Sequence, residues 1–407
     1  MRISTGQLYD RSIRSVLENQ GDLSDVQRQL ASGKKLLRPS DDPVGAAQVI
    51  RLTEEIELIG QYKKNNNLLT GSLEQEETIL RNITGSVNRA RQLMLQSGNG
   101  IISVDDRKAI GNEIGQIRDQ VFDAMNSQSA NGEYIFAGFQ SATPAFSYDP
   151  GATNNKYAFE GDEGVNEIQV SNSMSLAVNN SGKAVFEDVS ARLTSKITSS
   201  VGATSASSSI SAQSQFDKFH TANYDAVTAA NNEFEIRITG PSQVEIRNVG
   251  SGTLEATQSF TSGEPFVFKG QEFSITGTVN DTVNFTLQQP EKKNIAETLN
   301  DFYISLSDSS LSDDDYQVAL SDALVGVDNS LNSIGNATSM IGGKMNVAQS
   351  VLESNLDLEI TNKTARSNIE EVDYAEAVSE LSKQEAALKA AQATFSRVTG
   401  LSLFNYI

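Results

Sequence analysis

Residues 374–395 read YAEAVSELSKQEAALKAAQATF, and this stretch decides the fold that the sequence predicts. Its large side chains recur every seven residues, at Tyr374, Leu381, Leu388 and Phe395. The companion positions, four residues after the first three, hold Val378, Glu385 and Gln392, one apolar residue and two polar ones. An apolar repeat of about 3.5 residues keeps one side of a helix apolar, so this segment predicts a helix that packs against another helix.

The same pattern lies near the start of the chain. Large side chains again recur at seven-residue spacing, at Tyr9, Val16, Leu23 and Leu30. Their companion positions hold Ile13, Gln20 and Gln27. Two seams of equal length with the same polar interruptions, at opposite ends of one chain, predict that the two ends pack against each other.

Polar residues at the core positions leave two interpretations of this pairing. One is an ordinary coiled coil within the chain, in which the polar residues fix the register. The other is a pair of helices that is marginal alone and becomes ordered when it packs with neighbouring subunits. Periodicity does not separate the two.

The composition of the 407 residues disfavours several classes of function. The net charge is −20, so nucleic acid and anionic membranes would be repelled. There is no cysteine, which excludes disulfides, thiolate metal sites and cysteine nucleophiles. The sequence has no apolar run of about 18 residues and no apolar core of a cleavable signal peptide, so neither membrane insertion nor Sec export is expected.

A turn signal follows the first seam. It consists of Pro39, Ser40, Asp41, Asp42 and Pro43. Gly33 can close the first helix, and the two prolines prevent its continuation. Paired aspartates also occur in metal and acid–base sites, but no histidine or third carboxylate accompanies these, so the sequence favours capping of the next helix.

Apolar residues at three- and four-residue spacings predict further helices. These cover about 44–97, about 103–125, a short segment from 295, and a continuous helix from about 313 to 398. Such a last helix would be on the order of 130 Å long at 1.5 Å per residue. The polar stretch 63–67 is expected to interrupt the first helix, and Gly342 and Gly343 to weaken or bend the last.

Residues from about 140 to 290 follow a strand pattern instead. Short runs alternate apolar and polar residues, as at 234–238, which is typical of half-buried strands. They predict one or two small antiparallel β modules. A Ser/Thr-rich tract over 190–214 is expected to be a surface loop or poorly paired strands. The order of helical and strand patterns along the chain predicts an α+β protein. It would be an elongated α-helical coiled-coil or bundle rod built from both chain ends, with an inserted β-rich domain.

The sequence offers no candidate catalytic, cofactor-binding or metal site. The single histidine, His220, has no neighbouring ligand or acid–base partner and is expected on the surface or in a turn. None of the common nucleotide-binding, hydrolase or zinc-protease motifs occurs. The sequence therefore disfavours an enzyme.

Two long motifs resemble a known family. PSDDPVGAA at 39–47, after Ser32 and Gly33, and RSNIEEVDYAEAVS at 366–379 resemble the N- and C-terminal signatures of the bacterial flagellin superfamily. The resemblance covers about 1–140 and 295–407. Within the superfamily, the ends MRIST at 1–5 and LFNYI at 403–407, together with NGEYIFAG at 131–138, favour the hook-associated junction proteins over flagellins.

The resemblance implies a non-enzymatic structural protein of the flagellum that needs no cofactor. Such a protein is held by a cytoplasmic export chaperone, leaves the cell through the flagellar type III export apparatus, and is extracellular. It self-associates in a ring between the first hook-associated protein and flagellin. The alternatives are a flagellin filament subunit and, less favoured, a secreted coiled-coil adhesin.

The resemblance also divides the chain and assigns an interface. It implies an axial assembly helix and turn over 1–43, a helical rod built from 44–139 and 294–345, an outer β-rich domain over 140–293, and a C-terminal assembly helix over 346–407. The residues expected to interlock with neighbouring subunits are Tyr9, Ile13, Val16, Leu23, Leu30, Tyr374, Val378, Leu381, Leu388 and Phe395.

Overall fold

The computed structural model describes residues 5–99 and 102–404. Met1–Ser4 and Asn405–Ile407, which carry most of the two end motifs, lie outside the described residues. The helices are α1 Thr5–Ser32, α2 Pro43–Ser97, α3 Val104–Met125, α4 Gln213–Asn223, α5 Ile295–Ser307, α6 Asp313–Glu370 and α7 Tyr374–Phe404. The strands are β1 Phe146–Tyr148, β2 Tyr157–Phe159, β3 Glu167–Ser171, β4 Met174–Ala177, β5 Ser195–Val201, β6 Ser205–Ile210, β7 Glu233–Gly240, β8 Gln243–Asn248, β9 Leu254–Ser259, β10 Pro265–Phe268, β11 Gln271–Thr276 and β12 Thr282–Leu287.

Long helices form both ends of the described chain and strands fill its middle, so the predicted α+β class is confirmed. Helical periodicity located α2 and α3 to within a residue or two, because each has a continuous buried stripe. The chain divides into two compact units. The terminal unit comprises residues 1–70, 167–176 and 344–407, and the central unit comprises 71–166 and 177–343.

The predicted continuous helix over 313–398 is wrong. The chain leaves the helical conformation at Glu371–Asp373, between α6 and α7. The backbone N–H of Val372 donates to the carbonyl of Gly33 at 3.0 Å instead of continuing the helix. Gly342 and Gly343, by contrast, lie within unbroken α6.

The polar stretch 63–67 does not interrupt α2. In the terminal unit, Asn65 Nδ2 donates to the carbonyl of Gln169 on β3 at 2.8 Å. Asn66 is buried, and its Nδ2 donates to the carbonyl of Ala348 on α6 at 2.7 Å. These asparagines therefore bind the β3–β4 hairpin and α6, which explains polar residues in the middle of a helix.

The central unit contains an antiparallel β-sandwich. One sheet has the strand order β5-β12-β7-β8-β9 and the other the order β10-β11-β6. Their inner faces share an apolar core, in which Phe273 and Phe285 from opposite sheets have ring centroids 4.9 Å apart. Helix α4 packs on this core through Phe219, which lies 5.3 Å from Phe234 and 5.4 Å from Phe268. The Ser/Thr-rich tract supplies β5 and β6, which pair regularly with β12 and β11 except for one irregularity in β12.

The expectation for His220 is wrong, because this side chain is completely buried on α4. Its ring stacks on Tyr224 at 5.2 Å between centroids, and its Nε2 lies 2.8 Å from the carbonyl oxygen of Gln288. Since a carbonyl only accepts, Nε2 carries the proton in the neutral ring. Burial lowers the pKa of His220 below its usual value, and the Gln288 carbonyl and Asp217 oppose this shift.

Four charged residues form a square on the outer face of the larger sheet. Along each strand an arginine pairs with a glutamate two residues earlier, Arg237 with Glu235 and Arg247 with Glu245. Across the strands, Glu235 is in register with Arg247, and Arg237 with Glu245. A slip of two residues would bring like charges together, so this charge square favours the observed register.

Within the described ranges, no helix is long and apolar enough to cross a bilayer. The same residues include no group of three or more His, Asp or Glu side chains placed to hold a metal ion.

Candidate assembly surface

The two seams predicted from the sequence lie against each other in the terminal unit. Helix α1 packs along α7, and the rings of Tyr9 and Phe395 are 5.3 Å apart. Between them the seam residues Val16, Leu23, Leu381 and Leu388 are half-buried. The structure therefore brings the two chain ends together within one molecule.

The companion positions of the seam differ from the prediction. Gln20, Gln27, Glu385 and Gln392 are all exposed, so the predicted polar interruptions are wrong. The side chains that turn inward lie three residues after a seam residue rather than four, as Val26 follows Leu23 and Ala377 follows Tyr374. Both spacings fit a 3.5-residue repeat, and the fully buried side chains, Val26 and Ala377, lie at the three-residue spacing.

Three of the predicted interface residues are largely exposed to solvent. Tyr9 is 43% exposed, Tyr374 is 59% exposed and Val378 is 51% exposed. Leu17 on α1, which the periodicity did not select, is 60% exposed. The α1–α7 pair thus leaves apolar side chains uncovered on both helices, although scattered exposed apolar residues are normal on protein surfaces.

The turn after α1 has the predicted capping chemistry. Gly33 ends the helix with a φ of 72°, a left-handed conformation that glycine adopts without strain. Asp42 precedes α2, and its Oδ1 accepts from the backbone N–H groups of Val44 at 3.1 Å and Gly45 at 3.0 Å. Asp42 is therefore the N-cap and Pro43 the first helical residue, which confirms the capping interpretation.

The break before α7 is built in the same way. Asp373 Oδ1 accepts from the N–H groups of Ala375 at 2.8 Å and Glu376 at 3.3 Å. The pattern Asp-x-x-Glu at 373–376, with Val372 before it, is a helix-start signature that could have revealed this break. The break was not predicted because the apolar periodicity of α6 leads directly into the seven-residue repeat of α7.

The two breaks lie side by side and are bonded to each other. The N–H of Lys35 donates to the carbonyl of Glu370 at 2.7 Å, and the N–H of Val372 donates to that of Gly33 at 3.0 Å. The ammonium of Lys34 also pairs with the carboxylate of Glu370. We call this set of contacts, over 33–35 and 370–372, the clasp.

The backbone angle of Gly33 favours glycine at the clasp, and close packing leaves little room for a side chain there. A methyl group on Gly33 would lie 3.1 Å from the hydroxyl oxygen of Tyr374, at the start of α7. This approach brings the first residue of α7 against the last turn of α1. Tyr374 thus lies close to Gly33 through its hydroxyl group, although more than half of the residue is exposed.

Ion pairs of the terminal unit involve side chains that are at least partly exposed. Hydrogen bonds from Lys363 and Lys63 lower the pKa of Glu359 on α6, with the Lys363 bond the largest contribution. On α7, Lys383 and then Gln384 lower the pKa of Glu380 in the same way. Pairs of this kind contribute little to stability and serve mainly to keep the surface close to neutral.

The terminal unit is nearly balanced in charge, and the central unit is not. The terminal unit holds 16 of the 32 basic residues and 19 of the 52 acidic ones, so the central unit carries most of the net charge of −20. A nearly neutral surface with exposed apolar side chains is suited to contacts between copies, because neither strong repulsion nor costly desolvation opposes them.

The N-terminal part of the chain is similar to a known family of proteins. Residues 3–141 match the family model described as the bacterial flagellin N-terminal helical region. This part of the chain is therefore similar to the N-terminal helical region of flagellins. The flagellin-type resemblance seen in the sequence is thereby confirmed.

Curated and structural relatives extend this flagellin-type resemblance. Flagellar hook-associated protein 3 of Escherichia coli (strain K12) is 31% identical over 189 residues, which are 46% of this chain and 58% of that protein. The chain therefore spans little more than half the length of that relative.

Two solved structures from Legionella pneumophila share the fold. Its flagellar hook associated protein-3 has a TM-score of 0.60 at 21% identity, covering 79% of this chain and 98% of its own. Its flagellar junction protein FlgL has a TM-score of 0.57 at 22% identity, covering 79% of this chain and 100% of its own. At these identities the likeness concerns the fold alone.

Proposed function

We propose that this chain is a structural component of the bacterial flagellum that joins the hook to the filament. The observation that carries the proposal is the match to flagellar hook-associated protein 3, supported by the fold shared with the flagellar junction protein of Legionella pneumophila. The paired terminal helices with exposed apolar side chains supply a surface that such a role requires. The function is mechanical and involves no catalysis or cofactor.

The partners follow from this role. The chain self-associates in a ring through α1 and α7, with the first hook-associated protein on one side and flagellin on the other. Before assembly it is bound by a cytoplasmic export chaperone and passes through the flagellar type III export apparatus, so its working location is extracellular. Tyr9, Tyr374 and Val378 are the predicted interface residues best placed for contacts between subunits, because pairing within the chain leaves them exposed.

The test is genetic, with electron microscopy of the bacterial surface. We expect deletion of the gene in its host to leave hooks without filaments and to release flagellin into the medium. Loss of filament protein with intact junctions would identify a flagellin instead, and unchanged motility would identify a protein outside the flagellum, such as an adhesin.

Complementation tests the surface itself. Val378→Asp places a charge in the exposed apolar group without disturbing a buried residue, and we expect it to fail to restore filaments. Ser379→Asp, at the neighbouring exposed position, is the matched control and should restore them. Restoration of filaments by both variants would show that Val378 is not part of the interface.

A further inference from the structure

We propose that the clasp is a register lock: it fixes which residues of α1 and α7 face each other and makes the two terminal helices order as one unit. The inference concerns the single chain, and it holds whether or not the chain assembles at a flagellar junction. It rests on two observations. The first is which side chains of α1 and α7 are buried, and the second is that seven-residue repeats are compatible with more than one register.

Burial in the α1–α7 pair is concentrated near the clasp. Among the described side chains of these two helices, Val26 and Ala377 are the buried apolar ones, and both lie within about two helical turns of the clasp. At the far end of the pair Tyr9 and Phe395 contact each other, but neither side chain is buried. The buried apolar side chains of the pair therefore lie toward the clasp.

The two seams alone do not define one register. Each repeats a large apolar residue every seven positions, so a slide of one heptad, about 10 Å along the helix, brings large residues opposite one another again. The polar residues that might have opposed such a slide, Gln20, Gln27, Glu385 and Gln392, face solvent. These four residues therefore do not specify the register.

The clasp supplies that specification. Its two backbone hydrogen bonds join residues that directly follow α1 and precede α7, and neither bond can form after a slide of one heptad. The Lys34–Glu370 ion pair and the close approach of Gly33 to Tyr374 depend on the same alignment. Bonds at this point also hold the two helices at high effective concentration, so that ordering of one favours ordering of the other.

Amide hydrogen exchange of the dilute, purified full-length chain tests the coupling. Lys34→Glu replaces an attraction to Glu370 by a repulsion, and we expect about fivefold to tenfold faster exchange in α1 and α7 together. The double variant with Glu370→Lys restores opposite charges and should restore protection. Lys35→Glu is the matched control, since Lys35 contributes its backbone rather than its side chain to the clasp.

Three outcomes would overturn the coupling. They are faster exchange in only one of the two helices, an equal effect of Lys35→Glu, and helices that already exchange at the unprotected rate in the wild-type chain. None of these measurements depends on assembly of a flagellum, so their outcome is independent of the proposed function.

Disulfide trapping tests the register, because the chain contains no cysteine of its own. The pair Tyr9→Cys and Phe395→Cys reports the observed register, and the pair Val16→Cys and Phe395→Cys reports a slide of one heptad. We expect Lys34→Glu to raise the yield of the second disulfide relative to the first by severalfold. An unchanged ratio would show that the clasp does not set the register.

Discussion

The two units of this chain are stabilised differently. The sandwich of the central unit encloses a core of fully buried aromatic and branched side chains, including Phe234, Phe273 and Phe285. In the α1–α7 pair of the terminal unit most residues are exposed, the seam residues are at most half-buried, and Val26 and Ala377 are the buried apolar side chains in the described range. The central unit thus contains the apolar packing that stabilises a fold, whereas the α1–α7 pair leaves apolar side chains exposed to solvent.

The two units also differ in net charge. The central unit carries 33 acidic and 16 basic residues, whereas the terminal unit carries nearly equal numbers. An acidic surface keeps neighbouring copies apart and in solution, and a neutral one permits close approach. The difference favours the terminal unit as the place of the contacts between copies that we propose.

The largest expected effect comes from removing a core side chain of the central unit. Phe285 is completely buried and contacts Phe234 and Phe273. We expect Phe285→Ala to lower the free energy of unfolding by about 3–5 kcal/mol, because it leaves a cavity that the sheets cannot close. Urea titration followed by far-UV circular dichroism measures this loss.

The matched control is Phe395→Ala in the terminal unit, where the ring is half-buried against Tyr9. Its expected cost in the isolated chain is about 1 kcal/mol or less. Equal costs for the two variants would contradict the difference in packing between the units.

A smaller effect is expected from the buried histidine of the central unit. The folded-state pKa of His220 lies below the unfolded value of about 6.5, so the unfolded chain binds the proton first as pH falls. The contribution of neutral His220 is therefore complete above pH 6.5 and is lost as the pH decreases below it. Asp217 on the same helix, which favours the charged ring, reduces the effect but does not reverse it.

The measurement compares unfolding of the wild type and His220→Gln between pH 5 and pH 8. Glutamine can still donate to the Gln288 carbonyl but does not titrate. We expect the wild type to lose stability relative to this variant as the pH falls. A constant difference across the range would show that His220 does not titrate on unfolding.

Sequence reasoning succeeded where the signal was local. The heptads of Tyr9–Leu30 and Tyr374–Phe395 identified α1 and α7 because a seven-residue repeat is a property of one helix. The cap at Asp42 was predictable because its acceptor and its donors are within three residues of each other. The class of fold followed from the same local periodicities.

Sequence reasoning failed where residues that are distant in the chain determine the conformation. The break at Glu371–Asp373 depends on a hydrogen bond from Val372 to Gly33, at the other end of the chain. The companion positions of the seam were ambiguous because spacings of three and four fit the repeat equally well. His220 was misplaced because its burial is set by strands that pack on α4, in particular by the Gln288 carbonyl that follows β12.

The smallest expected effect concerns the charge square on β7 and β8. Arg237→Glu places a carboxylate beside Glu235 and opposite Glu245, in the unit that already has excess acid. We expect a loss of about 0.5–1 kcal/mol, relieved at low pH and by high salt. Adding Glu245→Arg restores the cross-strand attraction and should recover part of the loss, which a double-mutant cycle measures.

Lys196→Glu is the control for net charge, since it makes the same change on the outer face of β5 away from the square. If Lys196→Glu costs as much as Arg237→Glu, overall repulsion in the acidic unit explains the loss and the square has no special role. If only Arg237→Glu destabilises the sandwich, the charges of the central unit help to hold its register. The central unit would then use paired charges to specify its own strands, whereas the terminal unit uses the Lys34–Glu370 pair to align helices from opposite ends of the chain.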